Sequence, residues 1–294
     1  MRIQLDEIRE LMSRPTAVQP LMHRPDKVCG REVARINEKQ VLYAIAKFGH
    51  LRTSEIGRFV WPNASHAQQM AQRTCNRLLK AGYLLNRRNA LGGVSYVLTR
   101  PGAGWLSLNG IPARHTLELS SVGGATFIHR TLGTRYLIEQ ASDTVSVAGE
   151  YEVARRALPF SIDKLVQRLQ KMPDGVVWRN EKDGRVAVDW VEVENASKPR
   201  SEIAKVLGVA QCAGVLIDPG ANAYLKRLVV VFDGQLNHGE RLRKTAREIW
   251  CNTSQDKKYL YTGAVSLVAA SITAPLVWQG AHESKLLIAK NERP

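Results

Sequence analysis

Three carboxylates in the middle of the chain have the types and spacing to do chemistry. Asp174 sits in Lys171-Met172-Pro173-Asp174-Gly175-Val176-Val177-Trp178, a turn running into an apolar stretch. Glu192 follows eighteen residues on, in the alternating run Val188-Asp189-Trp190-Val191-Glu192-Val193-Glu194, and period two sends Glu192 and Glu194 to one face of a strand. Between them Glu181-Lys182-Asp183-Gly184 carries an Asp-Gly hairpin signal. Two antiparallel strands joined there would set Asp174 beside Glu192. Clustered carboxylates repel unless a cation neutralises them, and hard divalent ions suit oxygen donors. Asp174 and Glu192 are therefore expected as ligands of Mg²⁺ or Mn²⁺, with Glu194 assisting or activating water. The plainer alternative is a solvated strand face with no metal.

The elements that would bring a substrate to this site lie upstream and are basic. Of 294 residues, 42 are Lys or Arg and 27 Asp or Glu, for a net charge of +15. Residues 1–110 hold 17 Lys and Arg against 7 Asp and Glu, leaving 25 against 20 for the rest. Such a balance favours a polyanionic partner, met mainly by the first part. Cys29, Cys75, Cys212 and Cys251 form no CxxC pair, which argues against zinc fingers and a disulfide framework and fits a reducing cytoplasm. The charged residues 1–10 do not resemble a signal peptide. The apolar stretch 260–278 is interrupted by Ser266, Ser271, Thr273 and Pro275 and reads as buried strands rather than a membrane span.

Length suggests two domains. Residues 1–34, with Pro15, Pro20 and Pro25, read as an extension. Helical periodicity starts near Arg35 and ends at Gly49, a short helix follows Thr53 or Ser54, and a third spans about residues 65–80. On that third helix Met70, Ala71, Thr74, Leu78 and Leu79 fall at core spacing, while Gln69, Gln72, Arg73, Asn76 and Lys80 fall opposite. Arg suits guanine and Asn or Gln suits adenine, so that face is expected to read duplex DNA. Strands at 83–88 and 94–99 flank a Gly-Gly turn, placing Arg87 and Arg88 near a hairpin tip that would meet phosphate. Three helices and a hairpin over residues 35–110 resemble a winged helix-turn-helix domain. Residues 98–106, Leu-Thr-Arg-Pro-Gly-Ala-Gly-Trp-Leu, look like its exit segment.

Residues 120–290 read as a mixed-sheet α/β domain: a helix at 126–140, a strand at 150–153, the Asp174 and Glu192 strands, a helix at 201–211, a strand at 228–232, a helix at 240–250 and a strand near 264–270. His129 in the first helix could be a ligand or a polar partner. This order, with Pro173-Asp174-Gly175 and Val191-Glu192-Val193-Glu194, resembles the PD-(D/E)XK nuclease fold. The whole layout, including His129, Glu150 to Glu152 and Lys205, resembles the replication-relaxation family of plasmid and mobile-element proteins, which is similar to MobC-type relaxases. The resemblance covers about residues 35–215. It implies an α/β fold, α+β overall, of a winged helix followed by a nuclease-like domain, and metal-dependent nicking of double-stranded DNA at a transfer origin. The nuclease pattern wants Lys two positions after the second acid, where this chain has Glu194; Lys198 or Lys205 could supply that charge. The alternative is a cytoplasmic regulator whose nuclease-like domain has lost its chemistry and serves dimerisation, as a homodimer, or effector binding. Neither reading involves a membrane.

Overall fold

A computed structural model describes residues 29–91, 93–115, 123–196, 198–250, 263–273 and 277–286. Most of the expected extension, and Gly92 of the expected turn, lie outside them. The first elements are α1 (Gly30–Phe48), β1 (His50–Leu51), α2 (Thr53–Val60), α3 (Ala67–Lys80), β2 (Leu84–Arg88), β3 (Val94–Leu98) and α4 (Arg100–Leu108). Helix α1 begins five residues before Arg35 and stops where Gly49 takes φ 82°, a conformation that glycine adopts without steric cost. Helices α2 and α3 cross closely because Gly57 has no side chain: a Cβ there would lie 3.0 Å from the Ala67 carbonyl. Strands β2 and β3 pair antiparallel from Leu84 with Leu98 to Arg88 with Val94, and β1 adds to the other side of β3. Asn89, at the turn, is buried; its Oδ1 accepts from the amides of Leu91 and Gly93 at 3.1 and 3.2 Å. The exit segment is helical. Thr99 caps α4 by accepting from Gly102 N at 3.0 Å, with Pro101 in the first turn, where its missing N–H costs nothing.

The remainder is a mixed α/β body. It comprises α5 (Gly124–Gln140), β4 (Ser146–Gly149), α6 (Glu150–Ala154), α7 (Asp163–Leu169), β5 (Gly175–Asn180), β6 (Val186–Glu194), α8 (Arg200–Gly208), β7 (Leu216–Asp218), β8 (Ala223–Asp233), α9 (His238–Trp250), β9 (Val265–Thr273) and β10 (Val277–Lys285). The strand order is β10-β9-β8-β6-β5-β4, with β7 on β8. Strands β4, β5 and β6 form an antiparallel meander, β6, β8 and β9 run parallel, and β10 returns antiparallel. On one face Val191, Val193, Val229 and Val231 pack with Leu132, Tyr136 and Leu137 of α5. On the other Val188, Trp190 and Val230 pack with Ile203 and Leu207 of α8 and Leu242 and Ala246 of α9. The α5-side apolar cluster continues without a break into α1, α2 and α3. Among the described residues no helix is long and apolar enough to cross a membrane.

One expected element has a different form. Residues 150–153 were expected to alternate as a strand, but Glu150–Ala154 is the short helix α6, and the strand is Ser146–Gly149 just before it. Glu150 and Glu152 in a first helical turn suit the positive end of the helix dipole. The turn also carries Glu152 to Lys47 of α1, 2.7 Å away, and buries Val153. Strands β7 and β10 had no counterpart in the sequence reading.

Candidate functional site

Strand β6 sets the geometry of the acidic centre. Its pleat turns Val191 and Val193 toward α5, and Trp190, Glu192 and Glu194 toward α8 and α9. The two glutamates do share a face, as period two requires, but that face is buried: Glu192 is 0% and Glu194 4% exposed. Asp174 immediately precedes β5. Since Gly175 pairs with Val191, Asp174 and Glu192 are next in register. The Asp174 amide donates to Val191 O at 3.0 Å, and its Oδ2 accepts from Val193 N at 2.8 Å. The carboxylate thus takes the backbone donor between the two glutamates.

Each acid has its own cation. His129 Nε2 lies 3.0 Å from Asp174 Oδ1. The other ring nitrogen, Nδ1, faces Asn195 Oδ1 at 3.3 Å, and Asn195 Nδ2 donates to Ala125 O at 2.8 Å. That last bond fixes the amide orientation, so both imidazole nitrogens face acceptors, an arrangement that favours the protonated ring. Burial alone would lower the His129 pKa, but the Asp174 contact raises it above the usual value. Burial would likewise raise Asp174; the His129 bond and charge and the Val193 amide outweigh it and hold the carboxyl low. Lys171 Nζ lies 2.8 Å from Glu192 Oε2, while Trp190 Nε1 donates to Glu192 Oε1 at 2.6 Å. Burial, then the charge of Asp174, still pushes Glu192 up to about 7. Lys198 Nζ lies 2.7 Å from Glu194 Oε1.

Hard oxygen donors are the right chemistry for Mg²⁺ or Mn²⁺. As arranged, however, they do not fit a resident ion. His129, Lys171 and Lys198 already neutralise Asp174, Glu192 and Glu194, and no metal-binding group of three acidic, histidine or cysteine side chains forms among the described residues. Lys205 pairs with Glu202 at 2.7 Å on the exposed side of α8, and Glu202 also feels the charges of Lys171 and Lys198. Spacing and periodicity in the sequence do not single out Lys171 or Asn195. Lys171 stands three residues before Asp174, but nothing in periodicity shows that it folds back onto β6. It is the residue whose charge environment includes Asp174, Glu192 and Glu194 together.

The basic helix has a different character. Helix α3 buries Ala71, Thr74, Cys75 and Leu78 and exposes Gln69, Gln72, Arg73, Asn76 and Lys80. Gln72 is held in place, donating to Asn76 Oδ1 at 3.0 Å and to Tyr96 OH at 2.9 Å. Arg87 and Arg88 are exposed beside the hairpin tip. Between this unit and the body lies a cavity of about 130 Å³, lined in part by His50, His129, Tyr151 and Asp174. His50 stacks on Phe127 of α5, centroids 5.5 Å apart. Comparison with family models, curated proteins and solved structures yields no match for this chain.

Proposed function

We propose that this chain binds double-stranded DNA through α3 and the β2–β3 hairpin, as a regulator whose α/β body serves assembly or effector binding. The observation that carries the reading is the exposed Gln69, Arg73, Asn76 and Lys80 face of a packed third helix, with Arg87 and Arg88 on the adjoining hairpin. Helices α1 to α3 followed by the hairpin are consistent with a winged helix-turn-helix, whose recognition helix enters the major groove. The meander β4–β5–β6, then α8 and parallel β8, with Asp174 heading β5 and Glu192 on β6, is consistent with a PD-(D/E)XK body. Together they support kinship with the replication-relaxation proteins of mobile elements. The three carboxylate–cation pairs favour the regulator over the enzyme.

Arg73→Ala should cost roughly 1–3 kcal/mol on a duplex selected from a random pool and much less on unselected duplex. Equal losses on both, measured by fluorescence anisotropy, would remove base reading from α3. Phosphate contacts behave otherwise. Alanine at both Arg87 and Arg88 should reduce the slope of log affinity against log salt by about 0.9 per residue. An unchanged slope would move the hairpin off the DNA.

Metal-dependent nicking is the second reading, favoured by one observation: Asp174 and Glu192 are register neighbours, and the charge of Asp174 raises the Glu192 pKa. A divalent ion would relieve that repulsion if it displaced His129 and Lys171. Supercoiled plasmid incubated with the protein and Mn²⁺ should then be nicked, and Asp174→Asn should abolish the nicking. Nicking that survives Asp174→Asn would come from a contaminant and end this reading.

A further inference from the structure

Among the exposed residues of α3, Gln72 stands apart because its amide is committed inside the protein. Its Nε2 donates to Tyr96 OH at 2.9 Å and to Asn76 Oδ1 at 3.0 Å, and its Oε1 accepts from Thr53 Oγ1 at 3.3 Å. Both amide protons are used, so a base edge would have to break one of these bonds to reach them. The anchor is firm. Tyr96 lies on β3, is 3% exposed and belongs to the apolar core that α1 and α3 share; Thr53 begins α2. Gln72 thus ties the outer face of α3 to two other elements. What it holds there is Asn76, one helical turn further on.

Ordering a mobile side chain on binding costs affinity, and the Gln72 bond orders Asn76 in advance. Asn76 is exposed, and among the described residues nothing else bonds to its amide. Its Nδ2 protons and the second lone pair of Oδ1 remain open, a donor beside an acceptor. With both amides turned over the bonds close equally well, and Asn76 still presents one donor and one acceptor. In the major groove adenine alone among the bases offers the complement, an N7 acceptor beside an N6 donor. Guanine shows two acceptors, and cytosine and thymine one polar group each.

We infer that Asn76 reads an adenine in the major groove, and that Gln72, held by Tyr96, is a positioning residue for it rather than a reader. The inference rests on the DNA-binding reading and names the base that α3 selects.

The full chain is used to select duplexes from a random pool, and the selected site is remade one base pair at a time. One position should prefer A·T by about tenfold, and Asn76→Ala should erase that preference there alone. Replacing the adenine with 7-deazaadenine, which lacks the N7 acceptor, or with purine, which lacks the 6-amino group, should weaken binding by the unaltered chain and leave Asn76→Ala unaffected. Tyr96→Phe keeps the buried ring and removes the hydroxyl. It should reduce the adenine preference about threefold to tenfold, with the salt slope and the affinity for unselected duplex unchanged. Gln72→Met keeps the length, loses the amide and should do the same; it decides alone if Tyr96→Phe does not fold. Losses shared by every duplex would mean a purely structural role for Tyr96 and Gln72 and overturn the inference. A selected site whose adenine preference ignores both variants, or that has no adenine dependent on Asn76, would overturn it and leave DNA binding standing. A chain that binds no duplex removes the DNA reading and this inference with it.

Discussion

Replacing Glu192 with glutamine should stabilise the protein at pH 8 by up to about 3 kcal/mol, with the gain vanishing below about pH 4.5. Glu192 is 0% exposed, and burial together with the charge of Asp174 pushes its pKa from 4.5 up to about 7. A carboxyl whose folded pKa is raised contributes its stability while protonated, below the unfolded value, and loses it as pH rises through the folded one. The gap from 4.5 to 7, at about 1.4 kcal/mol per pH unit, sets the ceiling. Glutamine keeps the shape and cannot ionise, and Lys171, its side chain 21% exposed, can keep water on its ammonium. Lys171→Met should do the opposite at pH 8, since it leaves the buried carboxylate without its cation, and the double variant should recover the loss. Urea unfolding at pH 4.5 and pH 8 measures all three. A glutamine variant less stable at pH 8 would mean that the Lys171 pair outweighs the burial of Glu192.

Asp189→Ala should destabilise the fold by about 3 kcal/mol, the lower end of the range for breaking a buried ion pair. Asp189 is 1% exposed on β6 and faces α5, where Arg179 of β5 lies 3.2 Å and Arg227 of β8 3.0 Å from its Oδ2. Arg227 also holds Ser266 of β9 and Glu283 of β10, so one charged row links five strands. The arginine side chains are 27% and 23% exposed and recover some hydration, which keeps the cost from the upper end. Replacing Arg179, Asp189 and Arg227 together with Met, Leu and Met should restore most of it, because no buried charge is then stranded and Glu283, 41% exposed, stays solvated. A single variant within experimental error of the unaltered chain in urea would show the row to be a surface feature.

The amino-acid sequence by itself determined the elements whose reason is local. The apolar spacing of Ala71, Thr74 and Leu78 is enough to turn Gln69, Arg73, Asn76 and Lys80 outward on α3. Alternation in Val188 to Glu194 is enough to place both glutamates on one face of β6, because side chains of a strand alternate regardless of what covers them. Residues 150–153 mark the limit of that logic. A four-residue alternation is too short to separate a strand from a helical turn, and Lys47, 105 residues away, meets Glu152 from the helical form. Tertiary structure alone decided that the β6 glutamates face the buried layer of α8 and α9, and that His129, Lys171 and Lys198 neutralise the acids. It also brought His50 and Asp174, 124 residues apart in sequence, to one cavity. Periodicity reports which way a side chain points; the charge and the layer it meets there come from residues distant in sequence, whose arrival only the packed chain specifies.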